Sequence, residues 1–314
     1  MTAPTLNYVS CPDAVGSHRM AYWLWGAPEA KHAIVCVHGL SRQGRDFDVL
    51  AQALLARSPQ PLRIVCPDVA GRGRSDWLAD PQGYAIPQYT ADMLQLLAQL
   101  HGAAPLETLD WVGTSMGGLI GLALCGTPKL PLPVPVRRLV LNDVGPVIEW
   151  TALQRIGTYL GNTGRFESVQ QAADAMWQIS RSFGPHTPEQ WLALSQAMVR
   201  PLPDGGFTLH YDPAIAVPFR TVTEAAAQQG QAALWQLFDA VRAQTLLLRG
   251  AESDLLSRET ALEMTRRGPR PRLLEFQGVG HAPTLVAHNQ VEAVAAFLLH
   301  NESASDEKPY SGTG

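Results

Sequence analysis

The stretch TLDWVGTSMGGLIGLALC, running from Thr108 to Cys125, decides how this chain is read. Thr108–Gly113 is short, apolar and bounded by glycine, which suits a buried strand. Gly117–Cys125 is small and apolar throughout, as a buried central helix would be. Between them lies Gly113-Thr114-Ser115-Met116-Gly117, a G-x-S-x-G motif placed where a strand turns into a helix. A serine on so sharp a turn adopts strained backbone angles. It needs small neighbours, because a side chain at either glycine would strike the adjoining strand or helix. Such a turn lifts Oγ above the sheet, at the positive end of the helix.

Outward from this stretch, short apolar runs alternate with helical patterns. Ala33–Val37 ends at His38-Gly39, Leu62–Cys66 ends at Pro67-Asp68, and Arg138–Asn142 follows the central pair. Phe47–Arg57 and Thr90–His101 carry apolar residues at helical spacing between them. Strand and helix in alternation imply a parallel sheet covered on both faces. Met20–Trp25 suits an antiparallel edge strand. From about residue 147 to 236 no strand is expected, and Thr151–Leu160, Phe166–Phe183 and Pro188–Val199 read as helices. Strands resume at Thr245–Arg249 and Arg272–Phe276, and a helix over Asn289–His300 closes the pattern. The expected organisation is a core of residues 1–146 and 237–300, a mostly helical lid over 147–236, and a flexible tail over 301–314.

The length of 314 residues suits one large α/β domain, or one such domain with an insertion. Hydrophobic residues make up 46% of the 314 and charged residues 17%, which excludes a disordered chain. The net charge of −4 gives no general attraction for nucleic acid or an anionic membrane. No apolar run reaches the ~20 residues that span a bilayer. The start of the chain has neither a basic segment nor an apolar run, so a cytoplasmic location is expected. Cys11, Cys36, Cys66 and Cys125 form no CxxC pair and read as reduced thiols; no zinc site is expected.

A serine hydroxyl is a weak nucleophile and needs a base. His281, in Gly278-Val279-Gly280-His281 just past the last strand, can return to the carboxyl edge of the sheet. An acid must fix the imidazole tautomer. Asp254, after the penultimate strand, is preferred because it leaves loop length for its carboxylate to reach Nδ1 of His281. Glu252, two residues nearer the strand, and Asp143, directly after the Arg138–Asn142 strand, compete for the role. The oxyanion is assigned to backbone N–H groups of Met116 and Leu40. His38 is read as shaping the loop beside the oxyanion hole. It is also kept with Arg42, Trp150 and Trp177 as a candidate for substrate binding. Arg42 and Arg45 could meet a substrate carboxylate. Asp68 to Asp76 (DVAGRGRSD) lacks both the spacing and the lysine of a phosphate loop, and reads as a tight turn beside the site.

These segments together resemble the α/β-hydrolase superfamily over roughly residues 20–300. They are Val37-His38-Gly39-Leu40, Pro67-Asp68 with Gly71-Arg72-Gly73-Arg74-Ser75, Gly113 to Gly118, Ser253-Asp254 and Gly280-His281. The chain looks most like lid-bearing bacterial esterases, enol-lactonases and C–C bond hydrolases that share the Ser-Met-Gly-Gly elbow. Haloalkane dehalogenases and epoxide hydrolases are less similar, because their elbow nucleophile is an aspartate. The resemblance implies a mostly parallel, twisted, eight-stranded sheet with helices on both faces and a helical lid inserted after the sixth strand. It implies a serine hydrolase that cleaves carboxylic esters of small to medium groups through an acyl-enzyme. Enol-lactone or C–C hydrolysis is the alternative, and a non-catalytic binding protein a third reading. No cofactor or metal is expected. The expected partner is a small-molecule ester, and assembly into a homo-oligomer is compatible with the chain.

Overall fold

A computed structural model describes residues 3–299; the tail expected over 301–314 lies outside them. The chain opens on an antiparallel hairpin, β1 (Thr5–Asp13) and β2 (Gly16–Gly26). It then alternates: β3 (His32–Val37), α1 (Asp48–Arg57), β4 (Arg63–Pro67), α2 (Ile86–Ala103), β5 (Thr108–Thr114), α3 (Met116–Gly126) and β6 (Val136–Asn142). An insertion follows, made of α4 (Trp150–Tyr159), α5 (Val169–Ser180), α6 (Pro188–Gln196), β7 (Val199–Pro201), β8 (Phe207–Leu209), α7 (Ala216–Arg220) and α8 (Glu224–Ala240). The chain then returns to β9 (Gln244–Gly250), α9 (Arg258–Met264), β10 (Arg272–Phe276) and α10 (His288–Leu299).

The eight-stranded sheet has the order β1-β2-β4-β3-β5-β6-β9-β10, and only β2 runs against its neighbours. The sequence dictates this through strands that are apolar on both faces. In β3, Ala33, Val35 and Val37 join a core cluster with α2 and α3, while Ile34 and Cys36 join a second with α1 and α10. Alternate side chains point to opposite faces, so an unbroken apolar run needs cover on both.

Two expectations are corrected. Met20–Trp25 is not an edge, because β2 pairs with β4 as well as β1. The edge is β1, which buries only Val9 and Cys11 and therefore carries little apolar signal. The region expected to lack strands holds the β7–β8 hairpin. Three residues per strand are too few to show a period.

Candidate active site

Loops at the carboxyl ends of β3, β5, β6, β9 and β10 converge on one point. Ser115 stands there between β5 and α3 with φ +52°, a region that costs a side-chain-bearing residue. The turn is held by Ser115 N–H donating to Asn142 O (2.9 Å) and Gly118 N–H donating to Ser115 O (2.8 Å). The glycines are required sterically. A Cβ on Gly113 would fall on the Gly117 carbonyl, and one on Gly117 would fall on the Val37 carbonyl of β3.

His281 faces Ser115, with Nε2 2.9 Å from Oγ. Its loop is pinned from both sides: Gly280 N–H donates to Ser182 O (2.5 Å), and Glu252 N–H donates to Val279 O (2.9 Å). On its far side, Nδ1 lies 2.7 Å from Oδ2 of Asp143, whose carboxylate is fully buried. The same carboxylate accepts from Gly250 N–H (2.9 Å) and from Ser253 Oγ–H (2.6 Å). Nδ1 can only donate to this acceptor, so Nε2 faces the serine hydroxyl as an acceptor.

The expectation of Asp254 as the acid is therefore corrected: the structure puts Asp143 against His281. The loop after β9 curls back at once, with Ser253 N–H on Gly250 O (2.9 Å) and Ser253 Oγ accepting from Leu255 and Leu256 N–H. Ser253 then points inward to Asp143. Asp254 points out, 45% exposed, and pairs with Arg155. Glu252 is exposed too. Asp143 needs no loop length, because a positive φ (+57°) directly after β6 turns its side chain along the sheet edge.

The loop after β3 lies beside the serine: a Cβ on Gly39 would sit 3.7 Å from Ser115 Cβ. Met116 opens α3, so its N–H has no acceptor within the helix. Arg72, fully buried, braces both places. Its Nε donates to Leu40 O (2.9 Å), its Nη1 to Tyr89 OH (2.9 Å), and its Nη2 lies 3.8 Å from Met116 Sδ. Asp68 ties the neighbouring turns by accepting from Gly44 and Arg74 N–H (2.7 and 2.8 Å); burial raises its carboxyl to about 6. His38 is fully buried. Nδ1 donates to Gly39 O (2.7 Å), Nε2 accepts from Val69 N–H (2.9 Å), and burial pushes its pKa down to about 3. It is a neutral strut between two loops, and substrate binding by it is corrected accordingly.

A cavity of about 370 Å3 opens over Ser115 and His281. Its floor includes Gly39, Leu40, Arg42 and Thr114; its roof comes from the insertion, with Arg155, Tyr159, Met176, Phe183 and Tyr211. Of the candidate substrate-binding residues, Arg42 lines it, while its guanidinium is clamped by Asp46 (2.6 and 2.7 Å). Arg45 is clamped by Asp48 in the same way (2.8 Å). Trp150 and Trp177 do not reach this cavity, and both expectations are corrected. Trp150 lines a separate small hollow with Leu153 and Phe219. Trp177 packs edge-on against Trp191, ring centroids 4.9 Å apart, inside the core of the insertion. Sequence patterning cannot separate these tryptophans from cavity-facing aromatics, since both serve a helical insertion with apolar faces.

Three further residues meet the site and carry little sequence signal. Asn142, fully buried at the end of β6, donates to Thr114 Oγ1 (2.9 Å) and Pro283 O (2.8 Å), tying the elbow to the histidine loop. Arg155 and Tyr211 face the cavity from the insertion. A polar residue closing an apolar strand was the only signal for Asn142. For a metal, the described residues bring together Cys11, His18 and Asp92, with ligand atoms within 4.8 Å of one another. Both His18 nitrogens are already engaged, by Asp13 (3.0 Å) and Asp92 (3.1 Å), which makes this a hydrogen-bonded ionic cluster behind β1.

Comparisons with known proteins agree with this architecture. The model of the Alpha/beta hydrolase family matches residues 34–297. The chain is 50% identical over 299 residues to a 3-hydroxybutyrate-oligomer hydrolase of Cupriavidus necator, covering 94% of this chain and 98% of that one. It is 26% identical over 241 residues to a 2-hydroxymuconate semialdehyde hydrolase of a Pseudomonas species, covering 75% and 73%. Among solved structures, an alpha/beta hydrolase from Novosphingobium aromaticivorans superposes with a TM-score of 0.79 at 31% identity, covering 95% of this chain and 98% of that one.

Proposed function

The chain belongs to the alpha/beta hydrolase family, and on that premise we propose that this carboxylic ester hydrolase cuts short esters, linear hydroxy-acid oligomers foremost, through an acyl-enzyme on Ser115. One observation carries the mechanism: the unbroken relay from Ser115 Oγ through His281 to buried Asp143, with contacts of 2.9 and 2.7 Å. His281 takes the serine proton as Oγ attacks the ester carbonyl. Leu40 and Met116 N–H groups hold the oxyanion, and Asp143 stabilises the imidazolium. His281 then protonates the departing alcohol and activates water to free the acid. We read residues 147–236 as a lid that shapes the cavity.

The substrate class rests on the Cupriavidus necator relative, similar over nearly the whole of both chains. A cavity of about 370 Å3, with apolar Ile156, Leu160, Met176 and Phe183 in its wall, suits short acyl and alcohol groups. The four cysteines are all unpaired, which supports a reducing, cytoplasmic setting. The Pseudomonas relative supports a second reading, C–C bond hydrolysis by the same relay.

The test is initial-rate hydrolysis of 3-hydroxybutyrate dimer and trimer and of p-nitrophenyl esters from acetate to dodecanoate. The oligomers and the short esters are expected to turn over. Dodecanoate should fall at least about tenfold below butyrate, because it overfills the cavity. Inertness toward every ester, with turnover of a dienoic dione, would replace this reading with the second.

A further inference from the structure

We propose that Arg155 is the subsite for the free carboxylate of the substrate, and that Asp254 occupies it in the empty enzyme. The inference rests on the hydroxy-acid ester reading above and names the residue that selects the substrate's acidic end.

Among the described residues, those lining the cavity include two arginines, Arg42 and Arg155, and no aspartate or glutamate. Both side chains are already paired with carboxylates, so what they offer a substrate is an exchangeable fork rather than a net positive field. The two arginines are not equally available. Arg42 and Asp46 form a bidentate pair whose side chains are only 13% and 17% exposed, so breaking it would strand a buried charge. Arg155 and Asp254 also form a bidentate pair, Nε–Oδ2 2.6 Å and Nη2–Oδ1 3.0 Å, but they are 38% and 45% exposed. An exposed pair is held weakly, and one carboxylate can replace another at little cost. The fork that grips Asp254 is the geometry a substrate carboxylate would use. Arg155 belongs to α4, which also supplies Ile156 and Tyr159 to the cavity wall.

The chemistry of the substrate fits. In a linear hydroxy-acid oligomer, the alcohol side of every ester leads to the carboxylate terminus. When Ser115 Oγ bonds the carbonyl carbon and the C–O bond breaks, His281 passes the proton to the departing alkoxide. The group that leaves is then a hydroxy acid whose carboxylate rests on Arg155. Water afterwards cleaves the acyl-serine and restores the hydroxyl.

The experiment compares 3-hydroxybutyrate dimer with its methyl ester, which keeps the internal scissile bond and masks the carboxylate. Only products of internal-bond cleavage are counted, so that loss of methanol from the terminal ester does not enter the rate. Wild type should favour the acid in kcat/KM by about tenfold or more. Arg155→Gln should lower that preference at least about tenfold, chiefly through KM, and Arg155→Lys should restore part of it. Asp254→Asn removes the resident competitor and should lower KM for the acid a few-fold more than for the methyl ester. Arg155→Gln slowing both substrates equally would overturn the inference. So would equal use of both by wild type, with the ester reading left standing. Should Arg155→Gln fail to fold, an unchanged or raised KM for the acid in Asp254→Asn overturns it. Wild type cleaving neither substrate removes the hydroxy-acid ester reading and this inference together.

Discussion

Asp143→Asn is expected to lower kcat on p-nitrophenyl butyrate by about ten-thousand-fold, while Asp254→Asn stays within about threefold of wild type. The Asp143 carboxylate only accepts, and it holds the proton of His281 on Nδ1. An amide there can turn its NH2 toward the ring. Nδ1 then becomes the acceptor, Nε2 carries the proton, and the face toward Ser115 can no longer take one. The amide oxygen can still accept from Gly250 N–H, so the fold should survive and the loss should appear in kcat. Asp254 pairs with Arg155 in a part-exposed ion pair, while the His281 contact is made by Asp143, so the amide at 254 leaves the relay in place for a substrate without a carboxylate. Matched loss in both variants, or loss only in Asp254→Asn, would break this assignment.

Gly117→Ala should destabilise the protein by about 3 kcal/mol or more and cut the remaining activity about a hundredfold. The new methyl group would overlap the Val37 carbonyl, which is backbone inside β3 and cannot rotate away. Either α3 lifts from the sheet or β3 shifts, and Ser115 moves with them. Gly102→Ala is the control. It lies in α2 with nothing within 4 Å of the added Cβ, so stability should hold or rise by up to about 1 kcal/mol. Urea unfolding midpoints for both variants give the comparison.

The alternating strand–helix pattern was legible because the strands from β3 to β6 are buried on both faces, and burial on both faces forces apolar runs. Ser115 and His281 were legible for a different reason: glycines mark the places where the backbone must turn tightly. Asp143 was visible but not preferred, because the outcome depended on which way one loop curls. Ser253 closes that loop through its own hydroxyl, and no spacing rule reports that. Trp150 and Trp177 looked like pocket aromatics; Trp177 proved to pack within the insertion and Trp150 to line a separate hollow. Arg155 went unremarked, since a charge on an amphipathic helix reads as solvated until a cavity appears beside it. β1 escaped notice because an edge strand with one covered face needs few apolar residues.

The central claim is that Ser115 forms the covalent intermediate. Active protein treated with a fluorophosphonate, followed by intact-mass and peptide analysis, tests it most directly. The account predicts one adduct, on the peptide carrying Ser115, gained in step with the loss of ester hydrolysis and absent in Ser115→Ala. Full loss of hydrolysis with the adduct on another residue, or full activity in Ser115→Ala, would contradict it.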